Sequence, residues 1–186
     1  MTNNVQRFIS IVDAQPKTKP KPSSLIKPWL GIDISQSLSI RMGNILEDFF
    51  NELIGDKSLI KDLPLVGKKR MLTDSQGSQH QIDILGQNNG VVYHYELKSN
   101  TNLDRGKKRD TSNRDDVIVK TLQQKYLQPI RSSVFCPFYE TSREVGGLGR
   151  VVGLTEFIET FELDFSTEEF KALGRNEQIH RALLNI

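Results

Sequence analysis

The sequence predicts an α/β protein with a mixed β-sheet core flanked by helices. Three observations carry that expectation. Gln81–Asn100 alternates apolar and polar residues like two strands joined by a tight turn at Asn89-Gly90. Ser35–Gly55 repeats its apolar residues at helical spacing. A second helical stretch, Val117–Leu127, lies between the hairpin and a further apolar segment, Arg131–Tyr139, that reads as a buried strand through Phe135 with Pro137 ending it or marking an edge, and helices between strands pack on the faces of one sheet.

A chain of 186 residues has room for one domain with a sizeable core. We expect an N-terminal helix and arm over residues 1–34 and a single α/β domain over 35–186. Hydrophobic content of 37% and charged content of 26% fit a globular protein in water. No apolar run approaches the ~20 residues that span a bilayer. The start, MTNNVQRFIS, lacks the basic segment and apolar block of a secretory leader. The single cysteine, Cys136, excludes an intramolecular disulfide and a cysteine-based zinc site, and fits a reducing cytoplasm. Net charge is only +2, so any contact with nucleic acid must come from local clusters of Lys and Arg.

In chain order, Val5, Phe8, Ile9 and Val12 predict a short first helix over residues 2–14. Ala14–Pro28 holds four prolines and four lysines, which excludes regular structure and suggests an extended arm, either a solvated linker or a basic strip along phosphates. In the Ser35–Gly55 helix, Leu38, Met42, Ile45, Leu46, Phe49 and Leu53 form one apolar stripe. Glu47 falls off the stripe among apolar or small neighbours, including Gly43, and should be half-buried. Asp48, Asn51 and Glu52 should face solvent. Leu65-Val66 and Met71-Leu72 read as short strands, and Asp74–Gln79 as a loop with Asp74 a reserve acid.

Ser99–Asp116 carries Arg105, Lys107, Lys108, Arg109 and Arg114 without an apolar period. It reads as a long loop, either solvated or ordering on DNA. Val117, Ile118, Leu122 and Tyr126 form the core side of the next helix. Glu140–Gly149 reads as a Gly-rich mobile loop, with a short strand at Arg150–Val152. Leu154–Leu163 is helical with Thr155 as its cap, and Ser166 with Glu169 forms a capping box for another helix. Asn176–Leu184 closes the chain as a helix whose Ile179, Ala182 and Leu183 suit packing or dimer contacts.

The hairpin carries the chemistry. A two-residue turn sets Asn88 opposite Val91, so paired residue numbers keep one sum along the strands. Asp83 and Glu96 then face each other, with Cβ atoms roughly 5 Å apart. Like charges so placed repel. A divalent cation held between the carboxylates is the simplest compensation. Lys98 follows Glu96 on the same face. Val91, Tyr93, Tyr95 and Leu97 point to the other face, and the first strand sends Ile82 and Ile84 one way and Gln81, Asp83 and Leu85 the other. Alternating charges also describe an ordinary solvated strand, but here the apolar face is strong and the polar face converges.

Asp83, a hairpin, then Glu96-Leu97-Lys98 resembles the PD-(D/E)XK nuclease superfamily, and within it most the type II restriction endonucleases. Ile82 stands where the motif's proline would be. The resemblance implies a restriction-endonuclease-like core. It implies a prokaryotic, cytoplasmic enzyme that cleaves double-stranded DNA with Mg²⁺. Asp83, Glu96, Lys98 and Glu47 would be catalytic, and Asp83, Glu96 and the Leu97 carbonyl would hold the metal. Arg41, Gly43 and Glu47 match a helix pattern common in that family, which makes Glu47 an accessory acid; the alternative is a helix-edge glutamate paired with a surface lysine. The basic residues Arg105, Lys107, Lys108, Arg109 and Arg114 become candidates for DNA contact. One site per chain implies a homodimer for cutting both strands. Two other functions stay open: a structure-specific repair or recombination nuclease such as a junction resolvase, and a non-catalytic DNA-binding protein on a nuclease-like core.

Overall fold

A computed structural model describes residues 2–14, 29–31, 36–101 and 105–184. The Pro/Lys-rich arm lies outside the described residues except for Ala14, as does Leu38's side chain. The fold is α/β. A five-stranded mixed sheet is ordered β4-β5-β6-β8-β7, where β4 is Ile84–Asn88, β5 Val91–Leu97, β6 Ile130–Phe135, β7 Arg143–Val145 and β8 Gly149–Val152. Strands β5, β6 and β8 run parallel, while β4 and β7 pair antiparallel at the two edges. A small antiparallel sheet of β1 (Leu65–Val66), β2 (Lys69–Thr73) and β3 (Gln79–Gln81) precedes it.

The hairpin takes the predicted register, Asn88 opposite Val91 and Ile84 opposite Tyr95. The cause is the turn: Asn89 and Gly90 have φ of 49° and 74°, the left-handed pair that a two-residue hairpin needs. Gly86 in β4 has a different role. A Cβ there would lie 2.8 Å from Phe161 Cε1 and 3.1 Å from the Lys57 carbonyl. Only glycine lets the segment after the second helix run against this edge, where Ser58 bridges Gly86.

One sheet face packs against most of the helices. Helices α1 (Thr2–Ala14) and α2 (Gln36–Leu53) bring Phe8, Val12, Met42, Ile45, Phe49 and Phe50 to Ile84, Tyr95, Leu97 and Phe135. Thus α1 belongs to the same core as the sheet. Three helices after Phe135 complete it. These are α4 (Leu154–Phe161), α5 (Thr167–Gly174) and α6 (Glu177–Leu184), and Phe157 of α4 stacks on Phe135 at 4.4 Å. The predicted capping box opens α5: Ser166 Oγ accepts from the Glu169 amide, and Glu169 returns to the Ser166 amide. The N-cap of α4 is Gly153 and not Thr155, because the chain leaves β8 extended and the helix begins at Leu154.

The opposite face carries the helix α3 (Arg105–Lys125), whose Ile118 and Leu122 pack on Leu85 and Val92 with Ile60, Leu63, Leu72 and Ile82. This overturns the expected loop at 99–116. A missing apolar period means that a helix buries no stripe there, not that none forms. Once Ile118 and Leu122 anchor the C-terminal half, extending the helix adds a hydrogen bond per residue at little further cost. Val117, expected on the core side, is exposed because α3 buries a narrow stripe. The Gly-rich stretch 140–149 also differs from expectation: it holds strand β7 and a turn, with Lys108 Nζ of α3 donating to the Gly146 carbonyl at 2.8 Å. Ile82 and Ile84 do not share a face. The chain bends at Asp83 between β3 and β4, so the alternation restarts, and Ile82 packs with Leu85.

Candidate metal and phosphate site

The carboxylates gather at the open end of the β4–β5 hairpin. Asp83 stands one residue beyond the last ladder pair, on the bend, and is 8% exposed. Its Oδ2 accepts the Leu97 amide N–H at 3.0 Å, which fixes it across from the end of β5. Its Oδ1 accepts Gln81 Nε2 at 3.0 Å, and the same nitrogen reaches Glu47 Oε2 at 3.3 Å. Glu96, near the end of β5, is 5% exposed. Alternation turns it, with Val92 and His94, toward the α3 side.

Asn51 ties α2 to the bend. Its Nδ2 donates to the Asp83 carbonyl at 2.6 Å and to the Glu47 carbonyl at 2.8 Å, while its Oδ1 is buried without a partner among the described residues. This corrects the expectation that Asn51 faces solvent: α2 meets the bend at Asn51, one turn after Glu47. Glu47 is half-buried as expected. Arg41, by contrast, is buried and donates to the Val12 carbonyl at 2.7 Å, a contact that joins α2 to α1.

Electrostatics follow from this crowding. Burial, with the negative charges of Glu96 and Glu47 beside it, pushes the Asp83 carboxyl up to about 7; Lys98 and the Leu97 amide pull the other way. Burial also raises Glu47, against the pull of Lys69, whose Nζ lies 2.8 Å from Glu47 Oε2. Glu96 Oε1 receives Lys98 Nζ at 2.5 Å and also Arg114 Nη2 from α3. Side-chain cations therefore stand against Glu96 and Glu47, while the crowding of acids falls on Asp83. Glu47 has the lysine partner that its alternative reading described.

Two clefts meet the cluster. Asp83 and Glu47 line a groove of about 720 Å³ with Asn51, Lys68, Lys69 and Arg70. Glu96 lies in a second cleft of about 250 Å³, between α3 and β8, with Asp115, Ser132 and Arg150. Next to Arg114, Asp115 accepts from Ser132 Oγ and lies 3.3 Å from Nδ1 of the buried His94. Helix α3 is thus pinned to the sheet at successive residues.

Of the other sequence candidates, Lys107 and Arg109 are exposed on the N-terminal half of α3, and Lys108 meets the β7–β8 turn. Arg105 begins α3, and its side chain lies outside the described residues. Asp74 is apart from the cluster: it accepts the amides of Gln76 and Ser78 and pairs with His80, closing its own turn. Sequence reasoning missed the roles of Lys69, Gln81 and Asn51. For Gln81 a signal existed, a polar residue two before Asp83 on an alternating strand. Lys69 and Asn51 had none, because both reach the site through tertiary packing.

Among the described residues, no set of three or more His, Cys, Asp and Glu side chains is arranged to hold a metal ion. The reason is visible in the ion pairs: Glu96 turns to Lys98 and Arg114, and Glu47 to Lys69. The donor chemistry still fits a hard divalent ion, since Asp83 is a buried carboxylate held among acids, and the donors bonded to it among the described residues are neutral N–H groups. No helix among the described residues is long and apolar enough to cross a membrane. No family model, curated protein or solved structure matches this chain.

Proposed function

We propose that this protein is a magnesium-dependent endonuclease that hydrolyses phosphodiester bonds in double-stranded DNA, in the manner of a site-specific type II restriction enzyme. One observation carries the reading: Asp83 and Glu96 are buried within mutual electrostatic reach at the end of a hairpin, with Lys98 on Glu96. Asp83, Glu96 and the Leu97 carbonyl would hold the ion. When bound, magnesium supplies positive charge to the phosphate oxygens and acidifies a water. Lys98 orients the attacking water and offsets charge that develops on the phosphate. Glu47, with Gln81 between it and Asp83, holds the Asp83 carboxylate in place and adds an acid on the groove side. Water adds to phosphorus, the bond to the 3′ oxygen breaks, and that oxygen takes a proton. The products carry 5′-phosphate and 3′-hydroxyl ends.

The exposed basic half of α3, with Lys107 and Arg109, suits phosphate contact. One cluster per chain favours a homodimer that cuts both strands of a palindrome. The ion pairs on Glu96 favour a second reading, a non-catalytic DNA-binding protein on the same core.

Digestion of a sequenced plasmid with Mg²⁺ separates these readings. Discrete fragments, lost in Asp83→Ala while DNA binding persists in Ca²⁺, support the restriction reading. Cleavage confined to branched substrates supports a junction nuclease instead. Absence of any cleavage, with DNA bound, supports the non-catalytic reading. Cleavage that survives in Asp83→Ala overturns the site.

A further inference from the structure

We infer that Arg114 is a latch on the carboxylate site: it neutralises Glu96 while DNA is absent and exchanges that carboxylate for a DNA phosphate as a divalent cation enters. The inference rests on the nuclease reading and concerns how that site is controlled. Glu96 is buried and carries two side-chain cations, whereas Asp83, also buried, is bonded among the described residues by the Gln81 amide and the Leu97 N–H. The positive charge is thus gathered on Glu96. A divalent ion shared by Asp83 and Glu96 would meet both cations at close range, and like charges in a buried site are costly. One of them must leave, and the two differ in freedom. Lys98 lies one residue past the end of β5, two after Glu96, and its side chain is 26% exposed. Arg114 comes from a different element and its side chain is 40% exposed, so it has solvent to move into.

The backbone need not move for this exchange. Asp115 keeps α3 on the sheet through Ser132 and His94, so a rotation of the Arg114 side chain is enough. Arg114 lies seven residues after Lys107, about two helical turns, and so on the same stripe of α3. A backbone phosphate drawn to that stripe offers the guanidinium a second fork of oxygens, geometry that arginine matches and lysine does not. Cation and duplex therefore bind with positive coupling, and by linkage each strengthens the other.

The test is calorimetric titration of Ca²⁺ into the full chain, with and without a random-sequence duplex, for the wild type, Arg114→Gln and Arg114→Lys. In the wild type, duplex should tighten Ca²⁺ binding about tenfold, within the usual range of coupling. Arg114→Gln should bind Ca²⁺ about tenfold more tightly without duplex and lose most of the coupling. Arg114→Lys, which keeps the charge without the fork, should fall between. Thermal unfolding of each variant checks that the fold is intact. Equal Ca²⁺ affinity in all three proteins, with an Asp83-dependent Mg²⁺ nuclease activity present, overturns the latch and leaves the nuclease reading standing. Absence of Ca²⁺ binding in all of them, together with absence of cleavage, overturns both.

Discussion

Replacing Asp83 with asparagine should make the metal-free protein more stable at pH 8 and slightly less stable at pH 4. The cause is the carboxyl's environment. Burial and two neighbouring acids lift its pKa from the ordinary 3.8 to about 7. A raised folded-state pKa means that the folded protein holds a proton which the unfolded chain gives up. Stability from that proton is present below pH ~4 and is lost as pH rises toward 7. At ~1.4 kcal/mol per pH unit, the difference amounts to at most about 4 kcal/mol, reduced by whatever water enters around the carboxylate. Asparagine is neutral at every pH and avoids that loss. Its amide can still accept from the Leu97 N–H, but it conflicts with Gln81 Nε2, a pH-independent cost of about 1 kcal/mol. Glu47, also raised by burial, adds a slope of the same sign to both proteins. Asp115, whose carboxyl is held low by bonds from His94 and Ser132 against the opposing effect of burial, loses its contribution only as pH falls toward and below ~4, again in both. Urea unfolding in EDTA from pH 4 to 8 measures the difference. The variant should gain over the wild type as pH rises, by up to about 3 kcal/mol at pH 8 after the amide cost. Adding Ca²⁺ at pH 8 should then stabilise the wild type and not the variant. A difference between the two proteins that stays constant across this pH range would refute the electrostatic reasoning.

Two further outcomes follow from the geometry. Gly86→Ala should destabilise the fold by about 1–3 kcal/mol, because the new Cβ meets Phe161 and Ile54 side chains and the Lys57 backbone at an edge that cannot retreat; an unchanged melting temperature in calorimetry would contradict the packing. Lys107→Ala with Arg109→Ala should weaken duplex binding in Ca²⁺ and reduce the dependence of log affinity on log salt by about 1 for each phosphate that is no longer neutralised. A salt slope equal to that of the wild type would remove α3 from the DNA-contacting surface.

The local order of this protein was legible in its sequence wherever adjacent residues decide the conformation. Asn89-Gly90 determined the turn and hence the hairpin register, since positive φ at both positions is a property of those residues. Strand alternation placed Tyr93, Tyr95 and Leu97 opposite Glu96, and the capping box located α5. Tertiary structure decided the rest. Asn51 lies 32 positions from the carbonyl it holds, and Arg114 lies 18 positions after Glu96. The polar helix α3, the bend at Asp83 and the cations that neutralise the acids depend on which surfaces packing brings together. A residue's type and spacing record its own backbone preference and which side it buries, but not the distant charge that will stand against it, because that pairing is made only when the chain closes.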